Sequence, residues 1–439
     1  MNPDGDQTLL MKKMARHARG RIGMKDQAKK WLVKILLLVI IAAPLSIFYG
    51  IFMNYYKDRQ VSNTAWISWY NDPQHEVYVT WETPFNETGV VHYSTQPGNL
   101  LISVPDPLSR QIHAVNLTGL SPDTEYYYEV DVAGGTYASG QFRTAPASHV
   151  PFIIVLTSDT QQKFGAGWHE HTASIFQAKN YSFIGMMGDF VEDGTKAEWN
   201  DYFATASPYL SKFPIVPVRG NHDKPRVING KIEYYFQDYF PQTVDMVYNT
   251  NSYDTEKQFY FSFNWSSVHF QILNFPEMDI DEKNQPNGVS PQDYNKAFTP
   301  DQLSWIQQDL ARAQGIPFRV TFFHCPMTGA GFFGPNFILE QQLLPILQQY
   351  NVTATVHGHA HHFERGTLVN ETAYPHNPLS YFIVGCGGGE VDVGLHIVPE
   401  TAVAIASPCY TELAATKNTM TFTTYTFEGT VVDNYTIHA

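Results

Sequence analysis

Only three cysteines occur in 439 residues, Cys325, Cys386 and Cys409, and no two form a CxxC pair. At most one bridge with an orphan thiol is available, which excludes a disulfide-built fold and a thiolate zinc site. Charged residues are also scarce, at 16%, while hydrophobic residues make up 43%. That balance excludes a chain disordered along most of its length. No internal repeat and no low-complexity tract is present. Cations are the rarer sign, with 28 Lys and Arg against 42 Asp and Glu. The deficit is uneven, because residues 1–34 hold nine Lys/Arg against three Asp. Everything beyond is strongly acidic, which excludes nucleic acid as a partner.

Long charge-free apolar runs are lacking except at one place. Ile35–Met53 runs 19 residues without a charge, long enough for a transmembrane helix, with Pro44 tolerated as a kink. The basic tail before it predicts a cytoplasmic N-terminus and a single-pass signal anchor. The C-terminal bulk is then extracellular or lumenal, on the secretory route or in a lysosome or vacuole. A cleaved signal peptide is the alternative, although its n-region would be unusually long and no clear cleavage site follows. Seven N-x-S/T sequons, at Asn86, Asn116, Asn180, Asn264, Asn351, Asn370 and Asn434, all lie beyond this segment and predict a glycoprotein.

Two textures follow the apolar segment. Residues 60–146 alternate as strands do, in Glu76-Val-Tyr-Val-Thr-Trp81 and Gly89-Val-Val-His-Tyr93. Leu120-Ser-Pro-Asp-Thr-Glu-Tyr126 entering Tyr127-Tyr-Glu-Val-Asp-Val132 resembles the tyrosine corner of a fibronectin type III sandwich, with Tyr126 bonding back to the backbone. From 150 to 439, short apolar runs alternate with helical patterns, such as Asp301 to Ala313 and Ile338 to Gln349, as in α/β layers.

Five of those apolar runs stop at a potential metal ligand. Ile153-Ile-Val-Leu156 leads to Asp159, and Phe183-Ile-Gly-Met-Met187 to Gly188-Asp189. Ile215-Val-Pro-Val218 leads to Gly220-Asn-His-Asp223, and Val320-Thr-Phe-Phe323 to His324-Cys-Pro326. Ala354-Thr-Val356 leads to His357-Gly-His-Ala-His-His362. The carboxyl edge of an α/β sheet is where sites assemble. Asp, Asn and His donors suit paired Fe, Zn or Mn ions, and a carboxylate can bridge two cations. Single motifs of this kind are weak; five in this order over about 200 residues are specific.

That order, D-x-(G/H), GD, GNH(D/E), H-x-P and GHxH, resembles the signature of calcineurin-like metallophosphoesterases. A β domain ahead of it, Tyr260-Phe-Ser-Phe263, Phe298-Thr-Pro-Asp-Gln-Leu-Ser-Trp305 and Phe363-Glu-Arg365 are similar to purple acid phosphatases. The resemblance implies an α/β metallophosphoesterase β-sandwich flanked by helices over 150–439, after the fibronectin type III-like, purple acid phosphatase N-terminal domain. It implies one metal held by Asp159, His361 and the bridging Asp189, and a second by Asp189, Asn221, His324 and His359. His222 would stand beside the two divalent or trivalent ions as the catalytic acid. Two positions depart from the purple enzymes. Glu192 replaces the tyrosine whose phenolate gives their colour, and Gln161 replaces Gly or His. Glu192 is a ligand or, the better reading, a solvated or salt-bridged carboxylate, and the Gln161 amide oxygen is a weak ligand of the first metal or supports its ligands.

Around this set, His169 and His171 line the mouth of the site or lie on a helix surface. His357 and His362 support the ligands, and His269 is structural. Asp223 orients His222 or caps a loop. Gly385-Cys-Gly-Gly-Gly389 resembles a phosphate loop superficially, but no Lys-Ser/Thr follows, so a tight turn near the metals is the better reading. The function implied is an acid phosphatase-like hydrolysis of small phosphate monoesters by metal-bound hydroxide. The alternatives are a phosphodiesterase or nucleotide pyrophosphatase of the same superfamily, and a catalytically dead adhesion or receptor ectodomain.

Overall fold

A computed structural model describes residues 61–439, apart from 162–167, 224–225, 229–230, 241–259, 275–297, 332–333 and 371. The first sheet holds β1 (Ala65–Ser68), β2 (Glu76–Ser94), β3 (Ile102–Thr118), β4 (Glu125–Val132) and β5 (Gly135–Arg143). The first half of β2 pairs with β1 and the end of β3, and its second half with β4 and the start of β3. Register breaks between Glu82 and Gly89 separate the halves, and the Tyr128 hydroxyl of β4 donates to the Ala65 carbonyl of β1. Tyr126 does bond back, its hydroxyl accepting from the Ser121 N–H at 2.9 Å.

The chain continues through β6 (Phe152–Thr157), α1 (Trp168–Gln177), β7 (Ile184–Met186), α2 (Lys196–Leu210) and β8 (Ile215–Pro217). The short β9 (Arg226–Ile228) and β10 (Lys231–Glu233) pair with each other, and α3 (Tyr235–Tyr239) follows. Next come β11 (Phe261–Trp265), β12 (Val268–Ile272), α4 (Pro300–Arg312), β13 (Phe318–Phe322), α5 (Phe337–Gln349) and β14 (Ala354–His357). The last strands are β15 (Phe363–Leu368), β16 (Leu379–Val384), β17 (Thr401–Ile405), β18 (Cys409–Ala415), β19 (Thr419–Thr426) and β20 (Val431–His438).

These strands form two sheets, one ordered β20-β19-β18-β6-β7-β8 and the other β11-β12-β13-β14-β16-β15-β17. Strands β6 to β8 run parallel, as do β12, β13, β14 and β16. Parallel strands covered on both faces must be apolar throughout, which explains the uninterrupted runs in the sequence. The sheets meet through aromatic rings, Phe382 on Phe422 at 3.8 Å and Phe183 on Phe270 at 5.4 Å. Helices α4 and α5 bury Ile306, Leu310, Leu339, Leu343 and Leu347 in a second core with Phe323. Their starts are capped by the Thr299 and Asn336 side chains. Trp66 of β1 stacks on Phe203 of α2 at 3.9 Å, and Trp69 on Trp265 at 5.3 Å, so the first sheet shares the main core.

The expectation of an N-terminal transmembrane helix is corrected. Among the described residues no helix is long and apolar enough to cross a membrane. The longest, α2, has 15 residues, about 22 Å at 1.5 Å per residue against a hydrocarbon core of about 30 Å. Ile35–Met53 and the tail 1–34 lie outside the described residues. The single-pass localisation and the membrane partnership built on that helix are withdrawn with it; what stands is the β-rich fold.

Candidate metal centre

Each strand end turns sharply to present its polar residue. Asp159 follows β6 with φ 55°, Asp189 follows β7 with φ 52°, and His359 follows β14 with φ 68°. Non-glycine residues avoid this left-handed region, and such conformations gather where geometry has a use. Glycine makes the close approaches possible. A Cβ on Gly220 would collide with the Asp189 carboxylate, and one on Gly358 with Ser158 and Asp159.

The turns bring Asp189, His324 and His359 together, their ligand atoms all within 4.8 Å of one another and all three buried. Asn221 joins them: its Oδ1 lies 3.0 Å from His324 Nε2 and 2.9 Å from His359 Nδ1. His324 Nε2 is 3.2 Å from Asp189 Oδ2. Alongside, His361 Nε2 is 3.4 Å from Asp159 Oδ1. Asp159 also accepts from the His359 N–H at 2.9 Å, which joins the two groups. Gln161 reaches the same place. With its amide oriented to satisfy both ends, its nitrogen donates to the Asp189 and Asp159 carbonyls and its oxygen faces His361 Nε2 at 3.2 Å.

The ring nitrogens show what the cluster is built to hold. His324 Nδ1 donates to the Met187 carbonyl at 2.7 Å, and His361 Nδ1 to the Glu390 carbonyl at 2.7 Å. Each Nε2 faces carboxylate or amide oxygens, where a neutral imidazole would set acceptor against acceptor. Positive charge is the missing partner. Burial disfavours a proton on His324, yet the Asp189 carboxylate overrides it and raises the group to about 10. Burial is likewise overridden at His361 by Asp159, to about 9. His359, buried and next to a charged His324, falls to about 3. Asp189 is held below the usual carboxylate range, burial being outweighed by His324 and His222. Oxygen and imidazole donors around so negative a point fit a borderline divalent or trivalent cation.

His222 is placed next to this group. Its main-chain N–H donates to Asp189 Oδ1 at 2.8 Å, its Nδ1 donates to the Glu192 carbonyl at 2.5 Å, and its Nε2 stands 4.0 Å from Asp189 Oδ2. Asp223 does not orient His222. Its carboxylate accepts from the N–H groups of Asp189, Phe190 and Gly220, each at 2.9 Å, and so latches two ligand turns together. Burial and the Asp189 charge push its pKa up.

Matches to known proteins agree with this geometry. The calcineurin-like phosphoesterase family model matches residues 152–363, and the purple acid phosphatase N-terminal domain matches 64–144. The chain belongs to the calcineurin-like metallophosphoesterases, of purple acid phosphatase-like layout. This is the family of a metal-dependent phosphoric ester hydrolase. Purple acid phosphatase 21 of Arabidopsis thaliana is 24% identical over 301 residues, 65% of this chain and 60% of its own. An uncharacterised protein of Mycobacterium tuberculosis is 26% identical over 298 residues, 60% of this chain and 53% of its own. The chain thus spans about half to three-fifths of the length of these relatives. A purple acid phosphatase from yellow lupin seeds shares the fold, with a TM-score of 0.67 at 16% identity over 85% of this chain and 74% of that one.

Against that family, Glu192 stands outside the compact cluster, and its contribution to His222 is a main-chain carbonyl. A cavity of about 290 Å³ opens beside it, lined by Thr160, His169, Phe190, Glu192, Glu198 and Tyr202 among others. His169 lines this cavity but is no surface histidine, being 3% exposed and stacked on Tyr202 at 4.9 Å. His171 stacks on Phe427. His357 bonds the Phe323 carbonyl and Thr355, and His362 bonds Glu364. His269 is tied to Asn264 and Asp309. Sequence reasoning missed Asp392, whose carboxylate accepts from the His361 N–H at 3.0 Å. It also missed Glu364 as a buried hub for His362, Tyr381, Thr401 and the Ala330 N–H. The only signal for either was Glu364's place in Phe363-Glu-Arg365.

Proposed function

We propose that this protein hydrolyses small phosphate monoesters at a dinuclear metal centre. Asp159, His361 and Asp189 would hold one ion, and Asp189, Asn221, His324 and His359 the other, in the domain 150–439 behind the β domain 60–146. The observation that carries this is the convergence of carboxylate, amide and imidazole ligand atoms from five strand ends in two adjoining groups. Two cations, when bound, would supply Lewis acidity and an activated water. The chain's own residues do the rest. Asp189, between the two sets of ligand atoms, would offset the mutual repulsion of bound ions. The left-handed turns at 159, 189 and 359 fix their ligands before substrate arrives, so little reorganisation remains during the reaction. His222, with its Nδ1–H committed to a carbonyl, presents Nε2 to the site, and as the imidazolium it delivers the Nε2 proton to the leaving oxygen, which leaves the neutral Nδ1–H ring.

The test compares rates on an aryl phosphate monoester and the matching diester, with metal analysis of the purified protein. Faster monoester turnover with two bound metals is expected. Preferential diester cleavage would move the protein to the phosphodiesterase reading, and a metal-free, inactive protein would end the proposal.

A further inference from the structure

The peptide group between Glu192 and Asp193 is used on both sides. Its carbonyl, from Glu192, accepts the Nδ1 proton of His222 at 2.5 Å. Its N–H, from Asp193, donates to Glu198 Oε2 at 3.1 Å. A carboxylate, a peptide and an imidazole therefore lie in series, and each hydrogen bond polarises the next. We propose that Glu198 is a positioning residue for His222, fixing its ring orientation and tautomer through this peptide; the proposal rests on the assignment of His222 above.

Glu198 is well placed to hold the peptide still. It is the third residue of α2 and closes a capping box, with the Thr195 side chain accepting from its N–H and its Oε2 accepting from the Thr195 N–H at 2.9 Å. The helix is anchored independently, burying Trp199, Tyr202 and Phe203. Lys196 at its start is paired with Glu82 of β2 and donates to the Tyr239 hydroxyl at 2.6 Å. The carboxylate thus stands on a rigid element, while the Gly188–Thr195 turn it holds carries both Asp189 and the carbonyl that His222 needs. The main chain of His222 is pinned by Asp189, but a main-chain bond does not set the ring. Without the Glu198 acceptor the 192–193 peptide can rotate, and the carbonyl leaves Nδ1. Once Nε2 has given up its proton, the neutral imidazole is no longer held as the Nδ1–H tautomer, and it is free to turn and to take the other one.

The experiment uses the full chain loaded with zinc, which is diamagnetic, and histidine labelled with nitrogen-15. Imidazole nitrogen shifts are recorded at alkaline pH, with His222→Ala identifying the resonance. Wild type is expected to show His222 protonated at Nδ1 alone. Glu198→Ala should show the other tautomer or an exchanging mixture, and Glu198→Gln, which keeps an acceptor oxygen, should restore the wild-type shifts. Thr195→Ala breaks the other half of the capping box and serves as the stability control; it should leave the tautomer unchanged. In parallel, Glu198→Ala should lower kcat on an alkyl phosphate about 10-fold with little change in KM, as outer partners of a site commonly do, and slow nitrophenyl phosphate less. An unchanged tautomer in Glu198→Ala, or the same change in Thr195→Ala, overturns the proposal. A changed tautomer with equal slowing of both esters upholds the positioning role and removes the general-acid role from His222.

Discussion

His169 sets an acid limit on stability that can be worked out from its surroundings. It lies on α1, 3% exposed, with its ring on Tyr202 at 4.9 Å and its Nε2 3.3 Å from the Tyr209 hydroxyl. Burial lowers its pKa from 6.5 to about 4, and the neighbouring Glu170 carboxylate only partly opposes this. At about 1.36 kcal/mol per pH unit, the difference corresponds to about 3 kcal/mol. Above pH 6.5 both folded and unfolded chains hold a neutral imidazole, and nothing is lost. Between 6.5 and about 4 the unfolded chain takes a proton that the folded one refuses, so stability falls as pH falls. Below about 4 the loss is complete. His169→Phe keeps a stacking ring and cannot be protonated, at a cost on the order of 1 kcal/mol for the lost hydroxyl contact. Urea unfolding of both proteins from pH 7.5 to 4 is the assay. Other buried histidines, such as His113 and His357, contribute equally to both and cancel. Wild type should lose about 3 kcal/mol more than the variant across that range. A wild-type-to-variant difference independent of pH would refute the reasoning.

Three further outcomes are expected. Asp189→Ala should abolish hydrolysis and lower bound metal, because the proposed pair of cations would lose the carboxylate between them; full metal content with normal turnover would contradict the proposed bridging role. Asp223→Ala strips the acceptor from three buried N–H groups and should cost about 3–6 kcal/mol in denaturant unfolding, whereas Asp223→Asn, keeping one oxygen for two of them, should cost clearly less. Cys386→Ser opens the Cys386–Cys409 bridge, which spans 23 residues, and should cost about 3 kcal/mol by loop entropy; wild type unfolding unchanged by reductant would count against it.

How the site could be read before the fold was known has a physical reason. A parallel strand buried on both faces is mostly apolar until it emerges at its carboxyl end, so each apolar run pointed to its own candidate ligand. Asp159, Asp189, Asn221, His324, His359 and His361 are all found at such ends. Roles set by side chains from distant segments were not legible. His169 looked like a surface residue because Tyr202 and Tyr209, which bury it, belong to another helix. Asp223 sits one residue after His222, yet it serves main-chain groups 33 and 34 residues earlier. Three cysteines left the pairing open until the chain brought Cys386 to Cys409 and left Cys325 buried and free. The N-terminal helix was inferred from hydropathy and charge alone, and no tertiary contact entered that inference.

The glycine-rich stretch 385–389 shows how a motif can resemble one device and serve another. A phosphate loop needs its N–H groups free to meet the ligand. Here the Gly387 N–H is taken by the Ser158 carbonyl at 3.0 Å and the Gly389 N–H by the Asp159 carbonyl at 2.6 Å. The glycines are needed because the turn lies flat on the loop that carries Asp159. A Cβ on Gly385 would strike the Ala360 carbonyl, and one on Gly388 would come within 2.9 Å of Thr160 Cα. Cys386 then fastens the turn to Cys409 at the start of β18, and β18 pairs along β6, the strand that leads to Asp159. Strand, ligand turn, glycine turn and disulfide close a ring around one residue. Asp159 can hold its unfavourable left-handed conformation because every neighbour in that ring opposes its relaxation.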